Sequence, residues 1–132
     1  MNKIIHIILI SIISLTVISC AKKSDSSSTT SSGLFVVVGD NGTILTSSDG
    51  TTWTSRTSGT SNGLYNIFYG NSTFVAVGHS GTILTSSDGT TWTSRTSGSS
   101  QGMWNIFYGN STFVTVGGSG TILTSSDGTT WT

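Results

Sequence analysis

Residues 42–59 read GTILTSSDGTTWTSRTSG, and the same residues recur unchanged at 81–98. The first thirteen of them recur again at 120–132. The period is 39, so Asp49, Asp88 and Asp127 are equivalent, as are Trp53, Trp92 and Trp131. A fixed period of about 20–50 residues marks a chain built from one supersecondary unit, whose copies bury each other's apolar faces. The near-identity of the copies points to recent duplication.

Outward from that stretch, one complete unit divides into four segments: LYNIFYG (64–70), TFVAVG (73–78), TILTSS (82–87) and TTWTSR (90–95). Each is rich in β-branched or aromatic residues. Each is bounded by turn chemistry: Gly70-Asn71, His79-Ser80-Gly81, Asp88-Gly89, and the Ser/Gly stretch 97–102. No window carries helical periodicity over a useful length. Asn-Ser-Thr and Asp-Gly between such segments are hairpin signals.

The spacing predicts an all-β fold of four-stranded antiparallel blades of the β-propeller type. Residues 34–132 hold about 2.5–3 such repeats, in the units 34–59, 60–98 and 99–132. The first unit opens at its second strand, since GLFVVVG aligns with STFVAVG, and the last runs out within its fourth segment at Trp131-Thr132. Eleven strands are expected, the last a stub. A closed propeller has about four to eight blades. The expectation is therefore an incomplete propeller: a fragment of a longer protein, or a dimer closing six blades, or an open stack.

The turn between the third and fourth segments carries a recurring set: Ser47, Asp49, Gly50 and Trp53; Ser86, Asp88, Gly89 and Trp92; Ser125, Asp127, Gly128 and Trp131. The Asp carboxylate can accept hydrogen bonds from backbone N–H groups of its own turn. The Trp, placed on the returning strand, can pack between neighbouring blades. These residues are therefore read as structural. One carboxylate per turn is too few for a hard cation, which wants about six or more oxygens. The stretch SSDGTTW (47–53) resembles the Asp-box of BNR-type propellers and the repeats of the Ycf48-like, photosystem II assembly-factor family. It is one residue shorter between Asp and Trp than the usual S-x-D-x-G-x-T-W.

Asp-boxes also occur in sialidases, and that resemblance would imply a glycoside hydrolase. Such chemistry needs an arginine cluster, a Tyr nucleophile supported by Glu, and an acid/base Asp. The chain has no Glu, and within the repeats its arginines are Arg56 and Arg95, at one equivalent position. The carboxylates of the repeats fall mostly one per unit. His79 is the only His outside the N-terminal segment, and it lies on a turn. The reading is non-enzymatic, with no cofactor and no metal. Charge is sparse, at 8% of residues with a formal net charge of zero, so no basic stripe exists for nucleic acid. The four Trp, three Tyr and five Phe set the repeats apart from a disordered Ser/Thr-rich chain.

Residues 1–20, MNKIIHIILISIISLTVISC, combine Lys3 with an apolar run from Ile4 to Ile18. That run is short for a membrane span, which needs about 20 apolar residues, and fits a signal peptide over 1–19. It ends in Val17-Ile18-Ser19-Cys20, which resembles a bacterial lipobox. The resemblance implies cleavage before Cys20 and lipid attachment at Cys20. Each buried CH₂ of an acyl chain is worth about 0.8 kcal/mol, so several chains anchor stably. Residues 20–33 then form the lipidated Cys and a flexible Ser/Thr-rich tether. The expected location is the bacterial cell envelope. Ala21, rather than Asp, favours outer- over inner-membrane sorting under the enterobacterial rule.

Equivalent positions can be compared within the chain. The YGNST and Asp turns do not change between units. The second-to-third-strand turn does: Asp40-Asn41, His79-Ser80, Gly118-Ser119. So does the connection between units: Thr60-Ser61-Asn62 against Ser99-Ser100-Gln101, then Leu64-Tyr65 against Met103-Trp104. In an up-and-down meander these two connections share one end. Variable loops on one face of a repeat array commonly form its binding surface. Asp40, Tyr65, His79 and Trp104 are the candidate binding face. The expected function is a binding or scaffolding module for a protein or glycan. The alternatives are a Ycf48-like assembly factor and a fragment of a sialidase-like hydrolase. Self-association to complete a propeller is a further expectation.

Overall fold

Strand-forming and turn-forming residues alternate along the chain. The computed structural model describes residues 18–21 and 33–132, and forms only strands and three 3₁₀ turns from them. The expected signal peptide up to residue 17 and the expected tether at 22–32 lie outside the described residues. The first sheet has the order β1 (Ile18–Ala21), β2 (Phe35–Val38), β3 (Ile44–Ser47), β4 (Thr54–Arg56). The second has β5 (Leu64–Gly70), β6 (Thr73–Gly78), β7 (Ile83–Ser86), β8 (Thr93–Arg95). The third has β9 (Met103–Gly109), β10 (Thr112–Gly117), β11 (Ile122–Ser125). All pairings are antiparallel, and every strand pairs with its sequence neighbour. The fold is all-β, in three antiparallel sheets, none of them closed into a barrel.

The turns follow from their residues. Asn71 and Ser72 take φ of 45° and 56° between the paired Gly70 and Thr73, and Asn110 and Ser111 repeat this. Two consecutive left-handed residues make the tight hairpin whose twist matches the flanking strands. The next turn of each sheet is a 3₁₀ turn, at Asp40–Gly42, His79–Gly81 and Gly118–Gly120. Its third residue must be glycine at position 81. There φ is +69°, and a Cβ would lie 1.8 Å from the Ser99 carbonyl oxygen.

Two differences from the sequence reading have local causes. Pairing after the Asp turn resumes at Thr54 and Thr93, so Trp53 and Trp92 precede the returning strands rather than lying on them. The N–H groups just before these Trp are committed to the Asp carboxylate, which delays the ladder. The first unit also gains a strand. Ile18–Ala21 pairs antiparallel with β2, in the register that β5 holds on β6. Among the described residues the strands number eleven, but the set is shifted from that expected. β1 is added at one end. At the other, Thr132 makes two backbone hydrogen bonds to Thr124 without forming a strand.

The core lies between sheets. Val36, Val38 and Ile44 of the first pack with Leu64, Ile67, Phe74, Ala76 and Leu84 of the second. Val75, Val77 and Ile83 on the other face of the second pack with Met103, Ile106, Phe113 and Trp131 of the third. Side chains alternate along a strand, so β6 feeds both clusters: Phe74 and Ala76 go one way, Val75 and Val77 the other. This two-sided burial makes TFVAVG an unbroken apolar run with no polar alternation.

Candidate functional site

The candidate face is built at the end of the sheets where the 3₁₀ turns and the inter-unit connections meet. Its two aromatics owe their position to bulges. In the second sheet Leu64 pairs with Gly78 and Asn66 with Val77, which leaves Tyr65 as the extra residue. In the third, Met103 pairs with Gly117 and Asn105 with Val116, which leaves Trp104. A bulge places two residues opposite one and re-aims the side chain that drops out of the ladder.

The re-aimed rings meet. Tyr65 and Trp104 stack with centroids 5.2 Å apart and planes 15° from parallel. Such offset stacks contribute about 0.5–1.5 kcal/mol beyond area burial. Trp104 is the outer ring and is 57% exposed. His79, at the start of its 3₁₀ turn, meets Tyr65 edge-on, with centroids 6.5 Å apart. Its Nδ1 lies 3.2 Å from the Tyr65 hydroxyl oxygen, at hydrogen-bond distance. A Cβ on Gly63 would come within 3.3 Å of an Asp40 carboxylate oxygen and 3.5 Å of the Tyr65 ring. Asp40 and Tyr65 therefore flank the same glycine. Gly102 is flanked in the same way by Tyr65 and Trp104. Asp40, Tyr65, His79 and Trp104 form one continuous group, with exposed acid and imidazole beside an aromatic step.

Neighbouring polar groups extend this face. Ser119 donates to Gln101 Oε1 at 3.4 Å, and Asn62 Nδ2 donates to Thr82 Oγ1 at 2.8 Å. Asn66 and Asn105 were not foreseen from the sequence. Asn66 Nδ2 donates to Asn105 Oδ1 and ties β5 to β9 beneath the aromatic step. Thr115, where the second unit has Ala76, donates its hydroxyl to the Asn105 carbonyl at 2.8 Å. The available signal was an Asn repeated at a spacing of 39 inside an apolar strand, where a polar side chain needs a partner.

The Asp turns lie at the opposite end and are self-contained. Asp49 Oδ1 accepts from Thr51 N and Thr52 N, each at 2.8 Å, and from the Ser47 hydroxyl at 2.9 Å. Ser47 Oγ accepts from Gly50 N at 2.8 Å. The same set recurs around Asp88 and Asp127. The carboxyls are held well below the usual range. Backbone N–H donation leads for Asp49, from Thr52, and for Asp88, from Thr91. At Asp127 the Thr129 hydroxyl leads. The indole N–H groups of Trp92 and Trp131 donate to Gly89 O and Gly128 O, at 3.1 and 3.0 Å. In each turn Oδ1 of the carboxylate is held by backbone N–H and hydroxyl donors of that same turn.

Among the described residues no three His, Cys, Asp or Glu side chains converge as metal ligands, and no helix is long and apolar enough to cross a membrane. The clefts near the connections are lined by Ser, Thr and Gly with one Asn and one Arg each. No family model, no curated protein and no solved structure matches the chain.

Proposed function

We propose that this chain is a non-enzymatic binding module of the bacterial envelope, built from β-propeller-type blades of the Asp-box kind. Its recognition surface is the Asp40–Tyr65–His79–Trp104 face. One observation carries the reading. The two positions where the strands bulge outward hold aromatic rings, and the rings stack on the end where the repeats diverge. A rigid, half-exposed aromatic step flanked by a carboxylate and an imidazole suits the apolar face of a sugar ring or an extended peptide. The Tyr65 hydroxyl and His79 Nδ1 do meet there, but no carboxylate hydrogen-bonds to the imidazole to orient it among the described residues, which favours binding over turnover.

The lipobox-like Cys20 supplies the address, with anchoring to a membrane and sorting to the outer one as the fuller proposal. Cleavage before Cys20 would remove Ile18 and Ser19 from β1 and halve the pairing on the β2 edge. Lipidation is tested by metabolic labelling with a fatty acid. Label should enter the wild type and be lost in Cys20→Ala.

Binding is tested on immobilised peptidoglycan fragments and envelope oligosaccharides, with crosslinking in envelope extracts for protein partners. The Tyr65→Ala/Trp104→Ala pair should weaken capture at least about tenfold, the scale of losing one aromatic anchor. Equal capture by the double variant and the wild type would overturn the assignment of this face.

A further inference from the structure

We infer that the free face of the third sheet docks on the free face of the first sheet in a second copy of this chain. The argument rests on an interface that the chain already makes twice. Val36, Val38 and Ile44 of the first sheet pack against the second, and Val75, Val77 and Ile83 of the second pack against the third. One period further on, the same row reads Val114, Val116 and Ile122. Here it lies open: Ile122 is 63% exposed, and Phe107 beside it on the same sheet is 54% exposed.

The covering half of the interface recurs at the other end of the molecule. Phe74, Leu84 and Trp92 pack with the first sheet, and Phe113, Leu123 and Trp131 pack with the second. Their equivalents in the first sheet are Phe35, Leu45 and Trp53. No sheet lies over them among the described residues; Trp53 is exposed, Phe35 and Leu45 are half-buried, and Val37 between them is buried. Trp131 is 8% exposed in its covered position, whereas Trp53 is 38% exposed.

The turn glycines report the same vacancy. A Cβ on Gly89 would come within 2.6 Å of Leu34 and 3.2 Å of Val36, and one on Gly128 within 3.2 Å of Val75. Both glycines abut a valine of the preceding sheet. Gly50 meets only Phe35 of its own sheet, at 3.8 Å. In a docked pair, Gly50 of one copy would abut Val114 of the other.

The occupant is therefore a copy of the same chain. Its Phe35, Leu45 and Trp53 reproduce the set that already packs on this row twice, and neither row carries an ionisable side chain. An exposed apolar patch of this kind marks an interaction site. The contact is head-to-tail, so two copies can close on each other when the rotation allows, giving a ring of six sheets. It uses none of the residues of the aromatic face, so it stands or falls independently of the ligand reading.

The test is the solution mass of the full chain by light scattering, with circular dichroism as the control for folding. The wild type should run at twice the 13.7-kDa chain mass or above. Ile122→Lys and Trp53→Lys should each fall to a single chain, with Phe107→Lys and Trp53→Ser as replacements where a variant fails to fold. Each retains the same N-terminal segment, so a change in mass reports the faces alone. Mixing the two variants leaves one intact head and one intact tail, and should restore a two-chain species. A single-chain wild type would overturn the inference. So would a Trp53→Lys variant that keeps the wild-type mass, or a mixture that stays single-chain.

Discussion

β7 and β11 are the same four residues, Ile-Leu-Thr-Ser, yet β7, inside a four-stranded sheet, is buried throughout, and β11, at the edge of a three-stranded sheet, is largely open. Ile83 has no exposed surface, whereas Ile122 is 63% exposed. β6 and β10 differ in the same way, with Val77 buried and Val116 at the surface. Identical local sequence gives identical strands and turns. What changes is the surroundings: the second sheet is covered on both faces and β8 flanks β7, whereas the third is covered on one face and β11 is its edge strand. In a repeat array a residue's contribution to stability is set by whether the next unit is present.

Truncating the equivalent isoleucines should give the largest contrast. Ile83→Ala should cost about 2–5 kcal/mol, the range for emptying a packed site. Ile122→Ala should stay within about 0.5 kcal/mol in dilute protein, as for an exposed position. Denaturant unfolding measures both. Equal losses would mean that the third sheet is covered in solution even when dilute. A rise in the Ile122→Ala cost with protein concentration would tie that residue to association.

Smaller effects are expected at the glycines that close the 3₁₀ turns. Gly81 and Gly120 share a positive φ, so alanine at either incurs left-handed backbone strain of about 1 kcal/mol or more. At Gly81 the new Cβ would also strike the Ser99 carbonyl, whereas at Gly120 it meets nothing within 4 Å. Gly81→Ala should therefore lower the thermal midpoint clearly further than Gly120→Ala. Matching shifts would show that strain, not the following connection, sets the requirement.

The smallest contrast is expected from acid. Asp88 and Asp127 sit in the same turn on the covered and the open sheet, with their carboxyls held low. A lowered folded-state value gives stability that is present above the unfolded value of about 3.9 and lost as pH falls through the folded one. The aspartates should leave the unfolding midpoint unchanged between about pH 5 and 8, and erode it below about pH 4. Asp88→Asn and Asp127→Asn should alter that acid limb equally, because each turn satisfies itself. A larger effect at Asp88 would show that the neighbouring sheet supports the turn.

Much of this was legible in the chain. The LYNIFYG and TFVAVG segments are β5 and β6 to the residue, because β-branched and aromatic runs end at Asn-Ser turns that only a tight hairpin accommodates. The Asp turns were legible because their chemistry is local, with every partner within three residues. At the aromatic face, internal comparison singled out Asp40, Tyr65, His79 and Trp104. The bulges that turn both rings outward left no mark in the pattern, since a bulge is a property of strand pairing. The Asn66–Asn105 tie was hidden for the same reason: it joins residues a full period apart.

The period, the hairpin turns and the self-satisfied Asp loops can be read along the chain, because they depend on contacts between near neighbours. Packing between units decided which copy of a repeated residue is core and which is surface. It also decided that Tyr65 and Trp104 meet, and that Ile18–Ala21 lies along β2. These are contacts between units, and near-identical units carry no local signal of which of them has a neighbour.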